Sequence, residues 1–137
     1  MKIGSIIENR DFEKRIAITP EVVKKYTSLG LEVVLQENYG NHLGISDKNY
    51  TDFGAKILKD YKEILQQSDI IVQLGLIPDD KVSYLSENQS LIGVLNPYTN
   101  KDKLLNLVKK KINTFSLELL PRITRAQSMD ILSSQAN

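Results

Sequence analysis

The chain of 137 residues contains no cysteine and a single histidine, His42. The absence of cysteine excludes disulfides and thiolate metal sites, and one histidine cannot build a site with several histidine ligands. We therefore predict no metal site. Because the histidine lies in a turn-prone loop, we expect a surface or capping role for it rather than general acid–base catalysis.

Long apolar runs, an excess of one charge and a glycine-rich phosphate loop are missing as well. No stretch reaches the roughly 18 apolar residues of a membrane span, and no signal peptide is visible, so we expect a cytoplasmic protein without direct membrane insertion. The net charge is +1, which gives no indication of a nucleic-acid partner. The glycines nowhere form the Gly-x-Gly-x-x-Gly turn that a dinucleotide-binding strand requires.

Short apolar segments alternate with helical ones along the whole chain. Segments rich in Val, Ile and Leu predict strands at about residues 2–7, 32–36, 55–58, 69–73, 90–95 and 113–119. The segments between them predict helices at about 19–29, 46–53, 60–67, 79–85 and 100–110. This alternation is typical of an α/β fold with a doubly wound, mostly parallel sheet in three layers, a flavodoxin-like half-domain. We expect the short segment 55–58 to be an antiparallel edge strand.

Residues 121–137 concentrate polar groups directly after the last predicted strand. A proline stops that strand, and groups beyond the carboxyl end of a strand lie where α/β proteins usually bind ligands. A helix from Gln127 onward would place Met129 and Leu132 on an apolar face, with Gln127 and Asp130 on the opposite face. On residue types alone, a solvated and frayed terminal helix is an equally good interpretation.

Two motifs resemble a known family. Residues 8–21, Glu-Asn-Arg-Asp-Phe-Glu-Lys-Arg-Ile-Ala-Ile-Thr-Pro-Glu, are similar to the N-terminal signature shared by alanine dehydrogenases and the α subunit of proton-translocating NAD(P) transhydrogenases. Residues 122–137, Arg-Ile-Thr-Arg-Ala-Gln-Ser-Met-Asp-Ile-Leu-Ser-Ser-Gln-Ala-Asn, resemble the transhydrogenase branch in particular. The likeness covers essentially the whole chain. It implies that residues 1–137 form the N-terminal domain of this family, truncated before a Rossmann domain that binds NAD(H).

The resemblance also implies a site and a reaction, the transfer of hydride from NADH to NADP+. Hydride transfer needs the placement of two rings rather than an acid or a base, which suits a chain without cysteine and with one histidine. Gln127 and Asp130 would have the catalytic role of positioning the nicotinamide. The residues implied to bind the cofactor are Arg122, Thr124, Gln127, Asp130 and Ser133.

Several partners follow from the same resemblance. NAD(H) would be held mainly by the Rossmann domain, which is absent from this chain, and NADP+ by a separate β subunit. The full protein would be a homodimer, cytoplasmic and peripheral to the inner membrane through its other subunits. We expect the isolated chain to be inactive.

Three positions bear on the choice between the two branches. Gln73 stands where a lysine is common in both branches, and in alanine dehydrogenases that lysine binds the substrate. Asn96 falls near the position of the catalytic histidine of alanine dehydrogenases. The arginine that corresponds to Arg15 contacts a substrate carboxylate in alanine dehydrogenases. In this chain we expect Arg15 to stabilise its own loop. Two alternatives stay open: an alanine dehydrogenase-like oxidoreductase fragment, and a stand-alone flavodoxin-like binding module.

The isolated chain is expected to bind NADH weakly, because it lacks the glycine-rich turn and helix N-terminus that hold a pyrophosphate. Titration calorimetry with NADH should therefore give no low-micromolar dissociation constant. A low-micromolar value would contradict the prediction, whereas a millimolar value agrees with it.

Overall fold

The computed structural model describes residues 1–11, 13–95 and 99–116. The strands in these ranges are β1 (Lys2–Ser5), β2 (Glu32–Gln36), β3 (Lys56–Leu58), β4 (Ile70–Val72), β5 (Ser90–Gly93) and β6 (Asn113–Ser116). The helices are α1 (Pro20–Ser28), α2 (Asp47–Thr51), α3 (Tyr61–Gln67), α4 (Asp79–Val82) and α5 (Lys101–Lys109), with a 3-10 turn at Asn41–Leu43. Each predicted strand and helix is present, and most are shorter by one to three residues at an end. The predicted end of the last strand, residues 117–119, lies outside the described ranges.

The strands form one sheet in the order β3-β2-β1-β4-β5-β6, and every neighbouring pair is parallel. The predicted doubly wound α/β fold is confirmed. Without β3, the order of the remaining strands is that of flavodoxin-like sheets. The strand order reverses direction between β1 and β4, so this is the topological switch point of the sheet.

The prediction of an antiparallel edge strand at residues 55–58 was wrong. The segment is an edge strand, but Leu35 of β2 lies opposite Ile57 of β3 in parallel register. The connection from β2 to β3 contains the 3-10 turn and α2. This connection is therefore a crossover and not a hairpin. It brings the chain back to the end of the sheet at which β2 begins, as parallel strands require.

Helices cover the sheet on both faces. Side chains of α1 and α2, including Val23 and Tyr50, pack with Val33 and Leu35 on one face, which we call the α1 face. The next residue along β2, Val34, points the other way and packs with α3 and α5 on the α3 face. The alternation follows the period of two along a strand. Both faces are apolar, so the strands read as continuous apolar runs in the sequence.

Side-chain caps fix two helix starts. The Thr19 hydroxyl accepts a hydrogen bond from the amide of Val22 at 3.3 Å, and Pro20 occupies the first turn of α1. The Asp60 carboxylate accepts from the amide of Lys62 at 2.9 Å. These caps satisfy amides that have no partner inside the helix and so fix where α1 and α3 begin.

Candidate functional site

The carboxyl ends of β1 and β4 border a groove of about 490 Å³ on the α3 face, which we call the switch-point groove. Ligands of doubly wound α/β proteins usually bind in this position. The walls come from the chain after β1, the chain after β4, Gln36 at the end of β2, and Tyr61 at the start of α3. The volume is within the range of small-molecule pockets.

Gln73 joins β4 to β1 at the base of this groove. Its side chain is 3% exposed. The Oε1 atom accepts from the Ile6 amide at 2.7 Å and the Ser5 hydroxyl at 2.9 Å, and Nε2 donates to the Ile6 carbonyl at 3.1 Å. The amide thus continues the pairing of β1 and β4 beyond their last backbone partners, Gly4 and Ile71. A neutral amide in this place carries no charge with which to attract a substrate carboxylate.

The Ser5 hydroxyl belongs to a second buried network on the α1 face. The Tyr39 hydroxyl accepts from the amides of Ala17 and Ile18 at 3.2 and 3.3 Å. Its own proton is then free for the Ser5 oxygen at 2.8 Å. The single Ser5 proton lies between two acceptors, the Val72 carbonyl at 2.6 Å and the Gln73 Oε1 at 2.9 Å. Burial raises the pKa of Tyr39. The neutral phenol therefore fastens the end of the 8–18 loop to the sheet.

Glu8 forms a second side-chain link between the chain after β1 and the chain after β4. Its carboxylate accepts from the amides of Leu74 and Gly75 at 2.8 and 2.7 Å. Burial raises the pKa of Glu8 above its ordinary value of 4.5, although the two amide hydrogen bonds act in the opposite direction. The first residue of the N-terminal signature therefore occupies two amide groups that would otherwise be free to bind an anion.

Two arginines of the signature make further contacts, one within the loop and one with the segment after β2. Arg15 forms a two-pronged ion pair with Glu13, with Nε–Oε1 and Nη2–Oε2 distances of 3.0 Å. This pairing lowers the pKa of Glu13 and agrees with the expected loop-bracing role of Arg15. Arg10 donates to the carbonyls of Asn38 and Tyr39.

The single histidine contacts the same loop. His42 is exposed, and its Nε2 hydrogen-bonds the Lys14 carbonyl at 2.6 Å, so the ring nitrogen donates. This agrees with the expected surface role. In the part of the chain that the structure describes, no group of three or more His, Asp or Glu residues could hold a metal ion.

All residues predicted to bind or position the cofactor lie outside the described ranges, as does Asn96. They are Arg122, Thr124, Gln127, Asp130 and Ser133. Their assignment stays a prediction. Sequence reasoning missed the roles of Ser5, Glu8 and Tyr39, although Glu8 opens the signature motif. It singled out Gln73 as a departure from the family without finding its partners.

Among the described helices, none is long and apolar enough to cross a membrane.

Comparison with known proteins places this arrangement in a family. The model of the family "Alanine dehydrogenase/PNT, N-terminal domain" matches residues 5–137. The chain is 42% identical over 142 aligned positions to the first part of NAD(P) transhydrogenase subunit alpha of Rhodospirillum rubrum. The match covers 100% of this chain but 37% of that relative. The chain thus spans little more than a third of that relative's length.

Solved structures agree with the fold. The crystal structure of transhydrogenase from Sinorhizobium meliloti matches with a TM-score of 0.83 and 35% identity, over 98% of this chain and 40% of that one. An L-alanine dehydrogenase structure matches with a TM-score of 0.79 over 85% of this chain and 32% of that one. Its identity is 19%, so this likeness concerns the fold alone.

Replacing Gln73 with leucine should lower the free energy of unfolding by about 2 to 4 kcal/mol, since each buried polar group left unpaired costs about 1 to 3 kcal/mol. Urea unfolding measures the loss. The matched control is Gln66→Leu, the same change at an exposed position of α3, which should alter stability by less than about 0.5 kcal/mol. Equal effects of the two changes would contradict the bridging role.

The raised pKa of Glu8 predicts a pH dependence of stability. Between the unfolded value near 4.5 and the higher folded value, the folded chain binds more protons, so stability falls as pH rises through this window. Glu8→Gln cannot ionise and lacks this loss. The free energy of unfolding of the parent minus that of Glu8→Gln should therefore decrease with rising pH and then level off. Urea unfolding at a series of pH values tests this, and a difference that grows with pH would contradict it.

Proposed function

The chain belongs to the alanine dehydrogenase/PNT N-terminal domain family, and from this premise we propose that it is the first segment of the NAD(H)-binding α subunit of an NAD(P) transhydrogenase. The observation that carries the proposal is that all of this chain is similar to part of a transhydrogenase α subunit. Under this proposal the complete protein transfers hydride from NADH to NADP+. The chain alone is inactive, because a Rossmann domain outside residues 1–137 holds most of NAD(H).

The proposed site is formed by the stretch after the last strand. Arg122, Thr124 and Ser133 contact the nicotinamide end of the cofactor, while Gln127 and Asp130 position the ring. An amide and a carboxylate can hydrogen-bond the carboxamide and ribose hydroxyls. The parallel sheet supports this placement. All strands run in the same direction, so the chain leaves β6 at the end of the sheet formed by the carboxyl ends of the strands, where the switch point also lies.

The proposed assembly follows from the same family. The partners are the Rossmann domain, a second copy of the α subunit and an NADP-binding β subunit. The complex is coupled to proton translocation, with this domain on the cytoplasmic side of the inner membrane and peripheral to it.

Gln73 counts against an alanine dehydrogenase activity, but it does not select the transhydrogenase branch, because a lysine is common at this position in both branches. A dehydrogenase acting on an amino acid must bind a carboxylate, for which a cation is the strongest partner. Here the position holds a neutral amide whose oxygen and nitrogen are both bound to β1. Hydride transfer between two nicotinamides has no such carboxylate to bind.

With the NAD-binding domain restored, Gln127→Asn and Asp130→Asn should slow hydride transfer far more than they weaken NADH binding. These residues would set the position of the ring, and a displacement of about 1 Å can cost roughly 100-fold in rate. Arg122→Ala should act likewise with some added loss of affinity, because a charged donor is removed. Single-turnover hydride transfer and NADH titration measure the two effects separately.

Met129→Ala and Leu132→Ala are the matched controls, on the apolar face of the helix predicted from Gln127 onward. They should cost about 2 to 5 kcal/mol of stability, visible as a lowered melting temperature, and should impair turnover only through unfolding. If the Gln127 and Asp130 variants transferred hydride at the rate of the parent protein, the site assignment would be wrong. Unchanged melting of the two controls would mean that the helix phase is wrong.

A further inference from the structure

Within the described ranges, the apolar core on the α1 face stops at β4. It includes residues of β1, β2 and β3, together with Ile70 and Val72 of β4, but no residue of β5 or β6. The helix between β5 and β6, α5, packs on the opposite face of the sheet. The α1 face of β5 and β6, at one edge of the sheet, therefore lies outside this core.

Two apolar side chains project from this part of the sheet. Val72, Ile92 and Phe115 are register partners across β4, β5 and β6, and register partners point to the same face of a sheet. Val72 belongs to the core on the α1 face, so Ile92 and Phe115 point to that face as well. Phe115 is 52% exposed. We call Ile92 and Phe115 the apolar platform.

The apolar platform lies toward the carboxyl ends of β5 and β6. The preceding pair on the same face, two residues earlier in each strand, is Ser90 and Asn113, which are both polar. A segment that buries the platform must therefore be apolar where it lies near the carboxyl ends of the strands, and it can be polar farther along. The chain leaves β6 at these carboxyl ends.

The segment that follows β6 in the sequence has this pattern. In the helix predicted from Gln127 onward, Met129 and Leu132 share the apolar face within the first turns. A helix that returns along β5 and β6 from their carboxyl ends would place these two residues on the platform and its later, polar turns near Ser90 and Asn113. Strands of a parallel sheet are buried by helices on both faces, and such a helix would cover the open part of the α1 face.

The short connection favours this segment over a second copy of the chain. Only residues 117–126 separate β6 from the predicted helix. A short linker holds a tethered segment at an effective concentration in the millimolar range. A second copy reaches the platform at that concentration only in very concentrated protein.

We propose that residues 127–137 pack on the apolar platform, and that this contact positions Gln127 and Asp130 on the opposite face of the helix. The positioning role rests on the function proposed above, whereas the contact itself does not. Ile92 and Phe115 then act on the reaction through the helix, without touching the cofactor.

Cysteine cross-linking in the isolated chain tests the contact, because the chain has no cysteine of its own. A disulfide requires Cα atoms within about 7 Å of each other. Phe115→Cys combined with Met129→Cys or with Leu132→Cys should therefore form an intrachain disulfide in at least one of the two pairs. The matched control is Thr114→Cys with the same partners, because Thr114 pairs with Leu91 and points to the α3 face. It should give at least tenfold less intrachain disulfide by mass spectrometry.

Two outcomes would overturn the contact. One is a yield of intrachain disulfide in both Phe115→Cys pairs that is no greater than in the controls. The other is a disulfide mainly between two chains, rising with protein concentration, which would assign the platform to a second copy. Ile92→Cys takes the place of Phe115→Cys if that variant does not fold.

The positioning role is tested by Phe115→Ala in the protein with its NAD-binding domain restored. Single-turnover hydride transfer should fall about tenfold, less than the roughly 100-fold that a displacement of about 1 Å can cost, while NADH affinity stays within about twofold. Phe115→Leu should recover most of the rate, and Leu29→Ala, at another exposed apolar residue, should keep the parent rate.

The two measurements separate this inference from the proposed function. A parent rate of hydride transfer in Phe115→Ala would overturn the positioning role. An intrachain disulfide in the isolated chain, together with no hydride transfer by the restored parent protein, would support the contact and contradict the proposed function.

Discussion

The fold depends on side-chain hydrogen bonds that hold the carboxyl ends of β1 and β4 together. The paired register of these strands covers Ile3 and Gly4, and the Asp69 amide before β4 donates to the Lys2 carbonyl at 2.9 Å. Beyond this register the amide of Gln73 binds the backbone of Ile6, and the carboxylate of Glu8 binds the amides of Leu74 and Gly75. Since buried backbone groups without partners are costly, the two side chains keep the central strands in register while allowing a groove to open between their ends.

The same arrangement determines the chemistry available at this edge of the sheet. Glu8 uses the amides after β4, and Gln73 presents no charge, so the switch point attracts neither a phosphate nor a substrate carboxylate. A dinucleotide held by a separate domain is compatible with this, because the pyrophosphate would then bind elsewhere. The N-terminal signature accordingly serves structure in the described chain: Glu8 caps β4, Arg15 pairs within its loop, and the amide of Ile18 binds the buried phenol of Tyr39.

Family membership and site chemistry rest on different observations. Membership follows from a match over residues 5–137 and needs no knowledge of any single side chain. The hydride-transfer site is a proposal that rests on the motif at residues 122–137, outside the described ranges. The hydrogen bonds of Gln73 and Glu8 at the switch point are described directly and rest on no motif. The three conclusions can therefore be tested independently of one another.

The sequence by itself determined the element types, their order and the α/β class, because apolar periodicity and caps such as Thr19 act over a few residues. It also carried the family motifs and marked Gln73 as unusual. Only the tertiary structure decided that β3 runs parallel and that Gln73 binds Ile6, 67 positions away in the chain. The direction of a strand depends on the path of its crossover. The partner of a buried amide depends on which distant strands become neighbours, and local sequence patterns encode neither of these.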